Sequence, residues 1–256
     1  MKTTSKHVYG WIPQTPDHRD KDFLFISKPE IIGALPPMVD LRGLCPPVYD
    51  QGQLGSCTAN AIGAAFEFDL MKQKLPVFIP SRLFIYYNER VMEHTVKSDS
   101  GAQIRDGMKV INTEGVCPES IWSYDVSKFT KRPPSKAYAQ AKLYESVLYQ
   151  PVSQTLDQMK GCLASGFPII MGFSVYQSFE SPEVAKTGIV PLPGKNESCL
   201  GGHAILAVGY DDSIQRFIVR NSWGDTWGIS GYFTVPYEYF TNPELADDLW
   251  TLKVIK

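Results

Sequence analysis

The stretch Gln51-Gly52-Gln53-Leu54-Gly55-Ser56-Cys57-Thr58-Ala59-Asn60-Ala61 decides how this chain is read. It places a cysteine after a glycine-rich turn and at the head of an apolar run, Ala59, Ala61, Ile62, Ala64, Ala65 and Phe66, which turns polar towards Lys72 and meets Pro76. Proline cannot continue a helix, so the pattern predicts a helix over 57–72 whose first half is buried on all sides. Cys57 then sits in the opening turn, where unpaired backbone amides and the positive end of the helix dipole stabilise a thiolate. A lone cysteine is more often a small buried hydrophobe. The Gln51 and Gly55-Ser56 surroundings argue against that reading here.

Working outward, Gly202-His203-Ala204 and Asn221-Ser222-Trp223-Gly224 follow far downstream, in that order. Together the three segments supply a thiol nucleophile, an imidazole base, an amide to orient the base and an amide to hold an oxyanion. That set points to acyl transfer through a covalent intermediate.

The order and wording of these segments resemble the papain-like cysteine peptidases, and the short bacterial and viral type most of all. In that family the nucleophile follows a Gln-Gly-x-x-Gly-Ser-Cys stretch, with the His and Asn about 130 to 150 residues or more downstream. Pro36-Pro37-Met38-Val39-Asp40-Leu41-Arg42 resembles the start of a mature chain of this type, and Asn221 to Gly228 resembles its Asn-Trp block. The similarity runs from about Pro36 to near the C-terminus. Two positions depart from plant and lysosomal relatives: Leu54 stands where they carry a second cysteine, and Thr58 where they carry Trp. Neither change removes a catalytic group, but one familiar disulfide cannot form.

The resemblance implies an α+β fold of the papain-like kind, with a helical left lobe, an antiparallel β right lobe and the active-site cleft between them. It implies Cys57 as nucleophile, His203 as an imidazolium paired with the thiolate, Asn221 as the orienter of that ring, and the Gln51 side chain with the Cys57 backbone N–H as oxyanion donors. Gly101 would let a substrate backbone approach. Ala204 would line the pocket for the second residue before the cut, leaving room for an apolar group. Trp223 would shield the His203–Asn221 hydrogen bond and Trp227 would flank the primed side. The implied activity is peptide-bond hydrolysis through a thioacyl-enzyme; no insert of the exopeptidase-specific occluding kind stands out, which favours an endopeptidase and leaves a terminal cut open. Two alternatives stay open: an acyltransferase or transamidase using the same triad, and a non-hydrolytic peptide-binding relative.

Length and composition agree with a globular enzyme. At 256 residues and 43% hydrophobic content the chain can bury a real core in one large or two small, closely packed domains. The net charge of −2, with both signs interspersed, leaves no footprint for nucleic acid or for an anionic membrane. The best apolar run, Phe167 to Val175, reads as a buried strand and is too short to span a bilayer. Met1 to Trp11 has no hydrophobic region of the signal-peptide type, which leaves open a cytoplasmic protein, one exported by a non-standard route, or one whose leader has been lost. Besides Cys57, the cysteines Cys45, Cys117, Cys162 and Cys199 allow two bridges in three connectivities, or none in a reducing compartment. No Cys-x-x-Cys pair exists and His7, His18, His94 and His203 are scattered, so no metal and no cofactor is expected.

The chain divides into three stretches. Residues 1–37 carry Pro13, Pro16, Pro29, Pro36 and Pro37, with apolar patches only around Tyr9 to Ile12 and Phe23 to Ile32. They read as an extended appendage too short to fold alone. By the resemblance this is a prosegment lying along the enzyme as an intramolecular inhibitor, the other partner being a peptide or protein substrate; a permanent structural strap is the alternative. Residues 38–150 read as the mainly helical lobe carrying the nucleophile, with Ser81 capping a helix through Met92 and Ile104, Met108 and Ile111 at helical spacing ahead of Gly115. Residues 151–256 read as the β-rich lobe carrying His203 and Asn221. It has one helix over 153–165 stopped by Gly166, then strands over 203–210, 217–222 and 231–237.

Overall fold

The computed structural model describes residues 7–15, 17, 35–144 and 147–254. The apolar patch at Phe23 to Ile32 lies outside the described residues. In chain order the elements are β1 (Met38–Asp40), α1 (Cys57–Lys72), α2 (Arg82–Met92), α3 (Ile104–Thr113), α4 (Ser135–Ala141), β2 (Val147–Pro151), α5 (Leu156–Ala164), β3 (Ile169–Tyr176), α6 (Pro182–Thr187), β4 (Cys199–Asp211), β5 (Arg216–Arg220), β6 (Tyr232–Pro236), α7 (Tyr237–Thr241) and β7 (Ala246–Val254). Short 3-10 turns join several of them.

Helix α1 starts at the nucleophile position, as the apolar run predicts, and every residue from Cys57 to Leu70 is buried. Its polar second half is buried as well. Strand β7 covers that half, and Asp69 accepts a hydrogen bond from the Val254 backbone N–H at 2.6 Å. Glu67 accepts from the Tyr49 hydroxyl. Ser81 caps α2 by accepting from the Phe84 N–H, and Gly115 and Gly166 take the left-handed backbone (φ 75° and 79°) that closes α3 and α5.

The strands form one antiparallel seven-stranded sheet in the order β2-β7-β3-β4-β5-β6, with β1 paired to β4. The chain therefore crosses between lobes more than once, because β1 and β2, which flank the helices in sequence, both join the sheet. Strands β2 and β7 carry weak alternation and were not legible beforehand. One face of the sheet packs on α1 and α3 through Ile170, Leu206, Ile218 and Trp250. The other closes on an aromatic core around Phe173, Phe179, Phe217 and Phe233. All five cysteines are free thiols, so no bridge forms. Among the described residues no helix is long and apolar enough to cross a membrane.

Candidate active site

Ser56, at the start of α1, makes no side-chain cap. Its hydroxyl is drawn instead to the Tyr124 hydroxyl at 2.5 Å and accepts from Asn60 Nδ2 at 3.1 Å. The first-turn amides of α1 are thus left for whatever enters the site.

His203 lies on β4 and Asn221 just past the end of the adjacent β5. His203 Nε2 donates to Asn221 Oδ1 at 2.8 Å, which leaves Nδ1 as the nitrogen available to a sulfur. Nδ1 makes no hydrogen bond among the described residues. Trp223 stacks on the imidazole with centroids 5.0 Å apart, and Trp227 meets Trp223 edge-on at 5.2 Å, one ring further from His203. The turn ahead of α1 is tied to this loop. Gln51 N donates to Ser222 O at 2.9 Å, and Ser222 Oγ donates to Gln51 Oε1 at 2.7 Å. Those bonds fix the Gln51 amide so that Nε2 points into the site. Cys57 is fully buried, and the backbone amides of Ala204, Gly10 and Thr58 face its thiol.

What buries the site is the chain's own N-terminal segment. Trp11 pairs with Ala102 as a parallel bridge. Trp11 N donates to Gly202 O at 3.0 Å, Ile12 N to Ala102 O at 3.0 Å, and Ala102 N to Gly10 O at 2.8 Å. Gln51 Nε2 donates to the Val8 carbonyl at 3.1 Å, and His7 stacks on Trp223 at 3.7 Å. Gly10 passes over the nucleophile through a gap that admits no side chain: a Cβ there would stand 1.8 Å from the Gly55 carbonyl oxygen, and one on Gly101 would stand 2.2 Å from Gly10 O. Gly101 is therefore where the backbones approach, at φ 77°. The pairing groups belong to its neighbour Ala102, which sequence reasoning missed because a main-chain function leaves no side-chain signal.

This burial works against the expected charge state. Desolvation pulls His203 down to about 4, against a partial rise from Asn221. Desolvation also pushes the Cys57 thiol up to about 12, opposed by the Ala204 and Gly10 amides. Beneath the segment, burial therefore disfavours the charged form of both groups. Water is the missing ingredient, since a charged pair needs solvation that the covering segment removes.

The papain family cysteine protease signature matches residues 35–248. The chain belongs to that family, and it is a cysteine peptidase. It is similar to xylellain, a cysteine protease from Xylella fastidiosa, with a TM-score of 0.91 and 47% identity over 100% of this chain and 99% of that one. An uncharacterized peptidase C1-like protein of Acanthamoeba polyphaga mimivirus is 44% identical over 99% of this chain and 89% of its own. Cysteine proteinase 1 of Entamoeba histolytica is 30% identical over 84% of this chain and 68% of its own. Bromelain protease from Ananas comosus shares the fold, with a TM-score of 0.64 at 22% identity.

Sequence reasoning also passed over Asp248. This buried carboxylate accepts from Trp11 Nε1 at 2.8 Å and from Gln14 N at 3.0 Å. An Asp-Asp pair ahead of a Leu-Trp run gives no hint that its second member turns inward. That turn comes from a left-handed backbone at Asp248, φ 58°.

Proposed function

We propose that this protein is an endopeptidase working through a thioacyl-enzyme and held inactive by its own N-terminal segment until that segment leaves the cleft. The observation that supports the reading is the passage of Val8-Gly10 directly over Cys57, with the Gln51 amide donating to the Val8 carbonyl.

In the open enzyme water reaches the dyad, and Cys57 and His203 separate charge as thiolate and imidazolium. The sulfur attacks the scissile carbonyl, forming a C–S bond. The carbonyl oxygen gathers negative charge against Gln51 Nε2 and the Cys57 backbone N–H. As the tetrahedral centre collapses the C–N bond breaks, and His203 Nδ1 gives its proton to the departing amine. The now neutral ring takes a proton from water, whose oxygen attacks the thioester carbon and expels the sulfur. Asn221 Oδ1 holds the Nε2–H throughout, fixing ring and tautomer without adding a charge.

The docked segment blocks this sequence twice over. It fills the space a substrate backbone would need, and it lies parallel to Ala102, whereas an antiparallel strand would exchange both hydrogen bonds with that one residue.

Deletion of residues 1–35 should raise hydrolysis of small fluorogenic peptides, and Cys57→Ala in the truncated protein should abolish both hydrolysis and labelling by thiol-reactive epoxides. In the same background Gln51→Ala should lower turnover by roughly 10²–10³-fold while sparing the labelling. Truncation that leaves activity unchanged or lost would favour a permanent strap, and labelling that persists in Cys57→Ala would remove the nucleophile assignment.

A further inference from the structure

Outside the catalytic groups, one side chain ties together the two backbones that frame the cleft. Asp99 is exposed, yet both of its oxygens lie on the buried Gly55 N–H, Oδ1 at 3.1 Å and Oδ2 at 3.0 Å. Oδ1 also accepts from the hydroxyl of the buried Tyr86, which in turn accepts from the Gly101 N–H at 3.1 Å. The loop that carries Asp99 is fixed from α2, where the buried Arg90 guanidinium donates through Nη1 to Val96 O and Ser98 O, each at 3.0 Å. The approach to Gly55 is close: a Cβ there would stand 3.1 Å from Asp99 Oδ1.

The Gly55 N–H belongs to the same peptide unit as the Leu54 carbonyl, and a trans peptide is planar, so the two point in opposite directions. Leu54 O accepts from Gln51 Nε2 at 3.0 Å. Holding the N–H from one side therefore fixes the carbonyl that holds the oxyanion donor on the other. Ser222 Oγ fixes the far end of the same amide, at Gln51 Oε1. What remains of Nε2 is its second hydrogen, now on Val8 O. Gly52 and Gly55 leave this turn with little stiffness of its own. Its support is non-covalent, since Leu54 is no cysteine and all five thiols are free.

Resting on the peptidase reading above, we infer that Asp99 is a positioning residue for the reaction: through the Leu54–Gly55 peptide it sets the Gln51 amide against the developing oxyanion, and through Tyr86 it holds the Gly101–Ala102 backbone in place for a substrate strand. The first link serves charge that develops only in the transition state, so it acts on kcat. The second serves binding that substrate and transition state share, so it acts on KM. An oxyanion donor is effective only where the oxygen arrives, and a shift of about an ångström can cost about 10²-fold.

The test uses the full chain carrying Gly10→Val, whose added side chain collides with Gly55 and keeps the segment out of the cleft, with a fluorogenic peptide as substrate. In that protein Asp99→Ala should lower kcat by roughly tenfold to a hundredfold. Asp99→Asn retains Oδ1 as an acceptor and should recover most of that loss. Tyr86→Phe spares the Asp99–Gly55 bonds and should act mainly by raising KM. A double-mutant cycle separates positioning from a general loosening of the fold. In Gln51→Ala the donor is already gone, so adding Asp99→Ala should lower kcat by no more than about threefold. Equal factors in the two backgrounds, or an Asp99→Ala kcat equal to that of its parent, would overturn the inference and leave the peptidase reading intact. Absence of hydrolysis by the Gly10→Val protein itself would overturn both.

Discussion

The two halves of the docked segment hold the cleft by different means. Ahead of Gly10, His7 and Tyr9 lie half-buried on a wall of rings: His7 stacks on Trp223, and Tyr9 stands edge-on to His203 at 6.0 Å. The Tyr9 hydroxyl donates to Glu180. From Trp11 onward the contacts are directional, and the first of them is buried. Trp11 is 7% exposed and anchored by Asp248; Gln14 Oε1 accepts from Trp250 Nε1 at 3.2 Å, and Thr15 O accepts from Arg105 Nη1 at 2.6 Å. Buried area with paired polar groups is worth far more than stacking at a wet surface. The lesson is that the half after the nucleophile anchors the segment, while the half before it mainly covers the imidazole.

The largest effect should come from Gly10, where the halves meet. Gly10→Val cannot pass Gly55, so full-length protein carrying it should hydrolyse peptides as fast as protein lacking residues 1–35; a variant as quiet as the parent would break the steric account. Next comes the anchor. Trp11→Ala removes a buried indole, a change that typically costs about 3–5 kcal/mol. Full-length Trp11→Ala should thus show at least a hundredfold gain in labelling rate, provided the parent is mostly closed. Gains similar to those of His7→Ala would mean that the halves are equivalent.

A smaller effect tests the covering role of the first half. Because burial holds His203 near 4 in the closed form, below its ordinary 6.5, the closed form binds the proton less tightly than the open form. Asp248 acts in the opposite sense: docking holds its carboxyl near 6, above its ordinary 3.8, so the closed form binds that proton more tightly and the two linkages largely offset each other between pH 7 and pH 5. Labelling of full-length protein relative to the truncated protein should therefore change little over that interval. In NMR titration the His203 ring should move up on truncation. The smallest effect is expected from His7→Ala, a loss of one surface ring stack worth about 0.5–1.5 kcal/mol and so roughly a twofold to tenfold gain in labelling.

Much of this was legible in the sequence because it rests on side-chain identity and periodicity. Cys57 heading a helix, Ser81 as a cap, Gly115 and Gly166 as stops, and His203 and Asn221 on neighbouring strands all leave such marks. The antiparallel sheet followed from the same signals, and the papain-like α+β architecture from the family resemblance that the Cys57, His203 and Asn221 segments carry. What was not legible depends on pairing partners or on absence of side chain. Strand β7 reads ambiguously because it is covered on both faces, and Asp69 looks like a solvated helix residue until Val254 N reaches it. The Tyr9 to Ile12 patch was visible as apolar, but its path needs Gly10, Gly101, Gly172 and Gly202 in register, and four scattered glycines carry no joint signal. The pull that burial exerts on the dyad was not legible for a related reason: pKa follows from what covers a group, and the cover here is distant in sequence.

The central claim is that Cys57 is sound but sealed, and labelling kinetics test it most directly. Full-length protein and protein lacking residues 1–35 would be exposed at pH 7 to a thiol-reactive epoxide, with the site of attachment read by mass spectrometry. The account predicts fast modification of Cys57 in the truncated protein, and modification at least a hundredfold slower, at the same residue, in the full chain. Equal rates at Cys57 in the two proteins would contradict it.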